Sequence, residues 1–178
     1  GSPQTYPATV LFWSNERGYD CSLMKAKIDW VPEYFPIAPL NYPIAKGQHF
    51  HSCGCDGARE VARYDVEFVE YRNNDLITTK NSPRPGRSGG GLMSDDGYYV
   101  ATCWVTSDTT GGGGIGYFTS FKSIHQVYSK NGYSWILNVS AQNQLANKLP
   151  IFEHNNQPQQ YPKNYIAIPS NNYIRIPN

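Results

Sequence analysis

Short runs in which apolar and polar residues alternate, separated by turn-forming residues, dominate the first 137 positions of the chain. Between residues 64 and 68, tyrosine, valine and phenylalanine alternate with aspartate and glutamate. This period-two pattern is typical of a strand with one buried face. Further runs with strand-like composition lie at 10–13, 21–28, 48–53, 76–79 and 115–119. The pattern therefore predicts an all-β domain.

One hairpin and one helix can be placed within this β pattern. The segment at 98–106 follows 92–93 through the turn sequence DDG at 95–97, which predicts a hairpin. Ser120 has the character of a helix N-cap, and Gly132 that of a helix stop. Between them the apolar stripe consists of Phe121, Ile124, Val127 and Tyr128. A short C-terminal helix is therefore predicted, with His125 on its surface.

The composition changes at about residue 138, where Asn, Gln and Pro become dominant and apolar residues become few. We therefore predict a domain at 9–137 and an extended tail at 138–178. The tail repeats the pattern NYIxIP at 164–169 and 172–177. These repeats are interpreted either as parts of a linker or as two strand-like pieces that lie on a sheet edge of this or a partner chain.

Charge and hydropathy exclude two classes of partner, nucleic acid and the membrane interior, and the cysteine count bears on the compartment. The formal net charge is +1 and no basic stripe is present, so binding to nucleic acid is not predicted. No apolar run is long enough to span a bilayer. The pattern predicts no cofactor. Four cysteines permit two disulfides but leave the compartment open, with an extracellular or periplasmic location slightly favoured and a viral polyprotein product also possible.

A cluster of histidines and cysteines occupies alternate positions 49, 51, 53 and 55. Alternate residues of a strand point to one face, and imidazole and thiolate are zinc ligands. Four such positions on one straight strand span too far to close a tetrahedron, although Gly54 could bend the chain. We therefore predict no metal site. Buried thiols or one disulfide, with Cys21 or Cys103 as partner, are favoured instead.

The segment at 85–92, which reads PGRSGGGL, is the strongest candidate for chemistry. A serine between glycines on a tight turn ahead of a strand can expose its hydroxyl to a carbonyl. Glycines also let the backbone approach a substrate and let two N–H groups converge on one oxygen. The alternative is a glycine-rich turn of an ordinary β protein.

Two segments at compatible spacing resemble trypsin-like serine proteases. Residues 19–25, YDCSLMK, resemble the segment that carries the triad aspartate, and residues 77–92 resemble the nucleophile segment, most closely that of the short bacterial branch. The resemblance covers about residues 9–137. It implies a chymotrypsin-like double β-barrel, of which this chain would hold the second barrel, the end of the first and a short C-terminal helix.

The resemblance also implies roles for individual residues. Ser88 would be the nucleophile, and Asp20 would orient the triad histidine and stabilise its charged form. The N–H groups of Gly86 and Ser88 would form the oxyanion hole. The stretch Cys103, Trp104 and Val105 would pair with the backbone of a peptide or protein substrate.

The chain departs from the family at several positions. Arg87 occupies the place of an aspartate that pairs with a freed N-terminus in chymotrypsin-like members, and the cysteines do not match the family's usual disulfides. Lys80 or Arg84 could favour an acidic substrate side chain, but surface solubility explains them equally well.

The general base is missing from the expected place. An unactivated serine is a poor nucleophile, and in the chymotrypsin branch the histidine precedes the aspartate by about 45 residues. Only 19 residues precede Asp20 here, and all four histidines, His49, His51, His125 and His154, follow it. We therefore expect the histidine to come from upstream sequence or another chain, with an exposed edge where that segment docks.

Two alternatives remain open. The chain could be a non-catalytic binding or structural module that kept the scaffold and uses its tail as an interaction arm. A resident histidine could also replace the missing base through a rearranged topology.

Overall fold

The computed structural model describes residues 6–16, 19–28, 34–58, 61–73, 75–107 and 114–137. The predicted tail at 138–178 lies outside these residues. The strands are β1 Ala8–Ser14, β2 Cys21–Ala26, β3 His49–Cys55, β4 Val61–Arg72, β5 Leu76–Lys80, β6 Gly91–Met93, β7 Tyr99–Thr106 and β8 Ile115–Ser120. One helix, α1, spans Phe121–Lys130, and short 3-10 segments lie at Asp56–Ala58 and Ser134–Leu137.

Six strands close an antiparallel barrel in the order β3-β4-β5-β8-β7-β6. Its core contains Phe50, Val66, Ile77, Leu92 and Phe118, none of which is exposed. The predicted alternation on β4 is present at its centre, where Val66 and Phe68 are buried. Tyr64 shares their face but is 37% exposed, and its ring packs against the guanidinium of the buried Arg87.

Strands β1 and β2 form a separate two-stranded ribbon. An isolated pair of strands is marginally stable in water, and here the inner face packs on the helix. The Phe12 ring lies 5.1 Å from the ring of Tyr128 and 5.3 Å from that of Tyr133. The Tyr128 hydroxyl also donates a hydrogen bond to the Ser22 carbonyl at 3.3 Å. The helix therefore joins the ribbon to the barrel.

The helix begins and ends as the sequence predicts. The Ser120 side chain accepts a hydrogen bond from the Ser123 N–H, and Gly132 has a φ of 82° just beyond the last turn. The predicted apolar stripe is buried. The prediction for His125 was wrong in one respect, since its Nε2 donates to the Ala38 carbonyl at 2.9 Å in a partly buried contact. Among the described residues, no helix is long and apolar enough to cross a membrane.

All four cysteines are free, so the disulfide alternative is wrong for this structure. Strand β3 does not bend at Gly54 but continues to Cys55, with Gly54 opposite Ala62 of β4. The Cys21 and Cys103 thiols are buried, whereas those of Cys53 and Cys55 are half-buried. Burial raises the pKa of the Cys21 thiol to about 11 and that of the Cys103 thiol to about 12.

Candidate active site

The Ser88 segment is built from two consecutive turns. The Arg87 N–H donates to the Arg84 carbonyl at 3.3 Å, with Pro85 in second position and Gly86 in third at a φ of 94°. Proline followed by a residue of positive φ is typical of a type II turn. The Gly90 N–H then donates to the Arg87 carbonyl at 2.8 Å. Ser88 lies between these bonds and is exposed.

Two glycines let this turn approach the end of β3. A Cβ on Gly86 would lie 2.3 Å from the Gly57 nitrogen, and one on Gly90 would lie 2.4 Å from the Cys53 carbonyl oxygen. Both distances are shorter than backbone contacts allow. The glycines that predict a functional turn from sequence are thus required by the packing of the turn itself.

The two N–H groups predicted to form the oxyanion hole have fixed directions. The Pro85 carbonyl accepts from the Gly57 N–H at 2.9 Å, and the Arg87 carbonyl accepts from the Gly90 N–H. In a trans peptide the N–H points opposite to the carbonyl. The N–H groups of Gly86 and Ser88 therefore point away from these partners, and neither donates to another described residue.

Arg87 is the largest fully buried side chain in the described part of the protein and is 1% exposed. Its Nε donates to Asp56 Oδ1 at 2.9 Å, and its Nη1 donates to the Ser52 carbonyl at 3.0 Å. Nη2 lies 2.8 Å from the same Asp56 oxygen, and Cζ lies 4.2 Å from the centre of the Tyr64 ring. The residue that departs from the family pattern is thus the anchor of the turn.

The Ser88 hydroxyl donates to the Trp104 carbonyl at 3.3 Å. Trp104 lies at an irregularity of the β7–β8 ladder, because Cys103 opposes Phe118 and Val105 opposes Tyr117. The ladder therefore omits Trp104, and its carbonyl is available to Ser88.

The three residues predicted to bind substrate differ in how their backbone groups are used. The Cys103 N–H donates to the Gly90 carbonyl at 2.7 Å, and its carbonyl accepts from the Gly89 N–H at 2.8 Å. The backbone of Cys103 is therefore occupied by the Ser88 turn. Trp104 is the member of the stretch that stands outside the ladder, next to Ser88.

Asp20 and Ser88 line the same groove, of about 720 Å³, between the ribbon and the barrel. Apolar and aromatic side chains form much of its remaining wall, among them Trp13, Met24, Phe35 and Tyr99. Burial raises the pKa of the Asp20 carboxyl. Ser88 and Asp20, the two residues that the sequence paired, therefore lie on the wall of one groove.

None of the described histidines lines this groove. His51 Nδ1 lies 2.7 Å from Asp65 Oδ1 and its Nε2 lies 2.5 Å from Asp95 Oδ1. His49 lies on the same outer face of β3, and His125 is bonded to Ala38. His154 lies outside the described residues. The described part of the chain therefore brings no imidazole to Ser88.

The two cations considered for substrate selection have partners in the barrel. Lys80 Nζ lies 2.7 Å from Glu67 Oε1, and the Arg84 guanidinium lies 5.8 Å from the centre of the Tyr64 ring. Sequence reasoning missed Asp56 as the partner of Arg87. The signal in the sequence was the arginine within a glycine-rich turn. If such an arginine is buried, its charge requires an acidic partner elsewhere in the chain.

Solved structures resemble this chain, whereas no protein-family model and no curated protein sequence matches it. The serine endoprotease from Yersinia pestis aligns at TM-score 0.60 and 19% identity over 71% of this chain and 44% of that one. The active form of the Rv3671c protease from M. tuberculosis aligns at TM-score 0.58 and 17% identity over 71% of this chain and 59% of that one. The MamO protease domain from Magnetospirillum magneticum, in its apo form, aligns at 0.52 and 16%, over 68% and 67%.

This chain spans about two thirds or less of the chains of these structures. At identities below 20% the likeness concerns the fold alone. With a six-stranded barrel, a largely β composition and one helix, the chain shares the fold of these serine proteases, consistent with a chymotrypsin-like architecture.

Proposed function

We propose that this chain carries the nucleophile and the acid of a trypsin-like serine endopeptidase, with the histidine supplied by upstream sequence or another chain. The observation that carries the proposal is the shared groove of Ser88 and Asp20. In this assignment the six-stranded barrel is the second barrel of the protease, the β1–β2 ribbon is the end of the first, and the motif spacing favours the short bacterial branch.

The proposed reaction passes through an acyl-enzyme. The Ser88 oxygen attacks the carbonyl carbon of a peptide while the imidazole takes the hydroxyl proton. The oxyanion is bound by the N–H groups of Gly86 and Ser88. When the C–N bond breaks, the imidazolium returns the proton to the leaving amine, and water then hydrolyses the ester by the same route in reverse. Asp20 orients the imidazole.

The outer face of the ribbon supports a docking place for the segment that bears the base. Val10 is 50% exposed, Trp13 is 59% exposed and Met24 is 62% exposed. Trp13 and Met24 also line the groove that holds Ser88. Strands that cover this face would bury the apolar side chains and bring a histidine to the groove. The greater length of the similar proteases is in keeping with such a segment.

Free imidazole provides the test on this chain alone. We expect a fluorophosphonate to label Ser88 slowly without imidazole and about a hundredfold faster with saturating imidazole, the low end of a general base's contribution. Mass spectrometry of peptides identifies the labelled residue. Ser88→Ala should abolish labelling, and Asp20→Asn should remove most of the imidazole effect.

Ser22 offers a matched control, because it lines the same groove and is exposed. Ser22→Ala should leave labelling unchanged. A folded chain that imidazole does not activate, or a label at Ser22, would contradict the proposal. Endopeptidase activity itself is tested by cleavage of a protein substrate after the histidine-bearing segment has been added.

A non-catalytic module is the second candidate. It is favoured by the fact that the groove lining contains no described histidine. If imidazole has no effect although the fold is intact, this candidate replaces the first.

A further inference from the structure

We propose that Arg87, held by Asp56, is the positioning residue that sets the directions of the two oxyanion-hole donors. The proposal rests on the proposed function for its role in catalysis, although the positioning itself can be measured without any reaction. Arg87 lies between Gly86 and Ser88. The two peptide planes that carry these donors are therefore related by the φ and ψ of Gly86 and of Arg87 together, and holding Arg87 fixes half of these angles.

The side chain of Arg87 is held at several points. Asp56 accepts a hydrogen bond from Nε, and the Ser52 carbonyl accepts one from Nη1. The ring of Tyr64 lies against the guanidinium. A Cβ on Gly54 would lie 2.8 Å from Arg87 Cγ, so β3 leaves room for the stem of the side chain. Three groups of the β3 end and β4 thus define one orientation of the guanidinium.

The backbone of the turn is tied to the same end of β3. Gly57 follows Asp56, the residue that pairs with Arg87, and its N–H donates a hydrogen bond to the Pro85 carbonyl. A displacement of Asp56 would therefore move both the guanidinium and the peptide that bears the Gly86 N–H. The ion pair and the backbone bond thus tie the same turn to two consecutive residues, Asp56 and Gly57.

Stability alone does not account for such a pair. The guanidinium is fully buried, whereas the Asp56 side chain is 17% exposed. Removing such charges from water is costly, and apolar replacements of a buried ion pair are often equally stable or more so. The planar guanidinium, however, donates from Nε to Asp56 and from Nη1 to the Ser52 carbonyl. These two hydrogen bonds fix the orientation of its plane as well as its distance from β3. We infer that the pair serves to hold the turn in one conformation with its donors directed outward.

The experiment compares Arg87→Met with the double variant Arg87→Met/Asp56→Leu, which removes both charges and leaves no buried ion unpaired. The first readout is the ¹⁵N spectrum of the Gly86 and Ser88 amides. In the parent chain each should give one sharp resonance, and in the double variant both should be broadened or doubled. The thermal midpoint of the double variant should stay near that of the parent.

The second readout is imidazole-dependent labelling of Ser88. In the double variant, the rate of labelling at saturating imidazole and saturating probe should fall about a hundredfold, as for the loss of an oxyanion-hole donor. The probe concentration that gives half of this rate should not change. A single sharp resonance for each of Gly86 and Ser88 in the double variant would overturn the proposal. Where imidazole activates the parent chain, labelling of the double variant at the parent rate would overturn it as well.

The two proposals fail in different ways. If imidazole does not activate the parent chain but the amide resonances broaden in the variant, the catalytic function is lost and Arg87 remains the positioning residue. If the single variant does not fold, the double variant alone decides the question.

Discussion

The hydroxyl of Ser88 donates a hydrogen bond to the backbone carbonyl of Trp104 at 3.3 Å. A carbonyl accepts this hydrogen bond but does not remove the proton, so the contact orients the oxygen without activating it. Under the proposed function, a base is therefore the group that Ser88 still requires. This relationship is the reason why added imidazole is an informative test.

Replacing Asp20 should stabilise the protein at neutral pH. The pKa of its carboxyl is raised by burial. Because the folded state then holds the proton at higher pH than the unfolded state does, stability falls as pH rises through the window above the ordinary carboxyl pKa. Asp20 is partly exposed, so we expect Asp20→Asn to raise the thermal midpoint at pH 7 by only about 1–2 °C, a shift set by the size of the domain.

Asp96 is the matched control with the opposite sign. The Ser94 hydrogen bond lowers the pKa of its carboxyl, and so does the Tyr42 hydroxyl, which donates at 2.7 Å. Asp96→Asn should lower the midpoint at pH 7. Both differences should vanish in acid, where the carboxyls are protonated in both states. Equal midpoints for Asp20→Asn and the parent at pH 7 would contradict the first expectation.

Gly90→Ala should be far more destabilising than Gly89→Ala. A methyl at position 90 would lie 2.4 Å from the Cys53 oxygen and 2.9 Å from the Arg87 oxygen, and both of these are backbone atoms. We expect a loss of about 3 kcal/mol or more, the upper range for overpacking. At Gly89, with φ of 84° and open space around it, only backbone strain of about 1–2 kcal/mol applies. Urea unfolding measures both, and equal losses would contradict this packing of the turn.

The four thiols should separate into two classes of reactivity. Thiolate is the reactive form, and the pKa of Cys21 and of Cys103 is raised to about 11 and about 12 by burial. At pH 8 we expect iodoacetamide to modify the half-buried Cys53 and Cys55 first. Peptide mass spectrometry gives the order, and unfolding in guanidinium should make all four equivalent. Early modification of Cys103 in the folded chain would contradict the burial of β7 next to the Ser88 turn.

The two faces of the ribbon should respond differently to truncation. Phe12→Ala removes a partly buried ring that packs on Tyr128 and Tyr133. We expect a loss of about 2 kcal/mol, below that for a fully buried phenylalanine. Trp13→Ala on the exposed face should change the free energy of unfolding by less than about 0.5 kcal/mol. Denaturant unfolding of the two variants measures the difference. A large loss for Trp13→Ala in the chain alone would mean that its face is already covered.

Local sequence determined the strands, the hairpin at 95–97, the capped helix and the glycine turn around Ser88. Each of these depends on interactions between residues close in the chain: period-two burial on β4, the Ser120 cap, and the Pro85-Gly86 pair that suits a positive φ. Patterns of this kind can be recognised without knowing which strands pair.

Only the tertiary structure decided which distant residues meet. Arg87 finds Asp56 across 31 positions because β6 pairs with β3, and that register was not readable from either segment. The continuation of β3 through Gly54 leaves Cys53 and Cys55 as free thiols. The shared groove of Ser88 and Asp20 depends on how the helix holds the ribbon against the barrel. Closure of the barrel and packing of the ribbon on it determine these long-range contacts. Both are properties of the whole chain rather than of any local pattern.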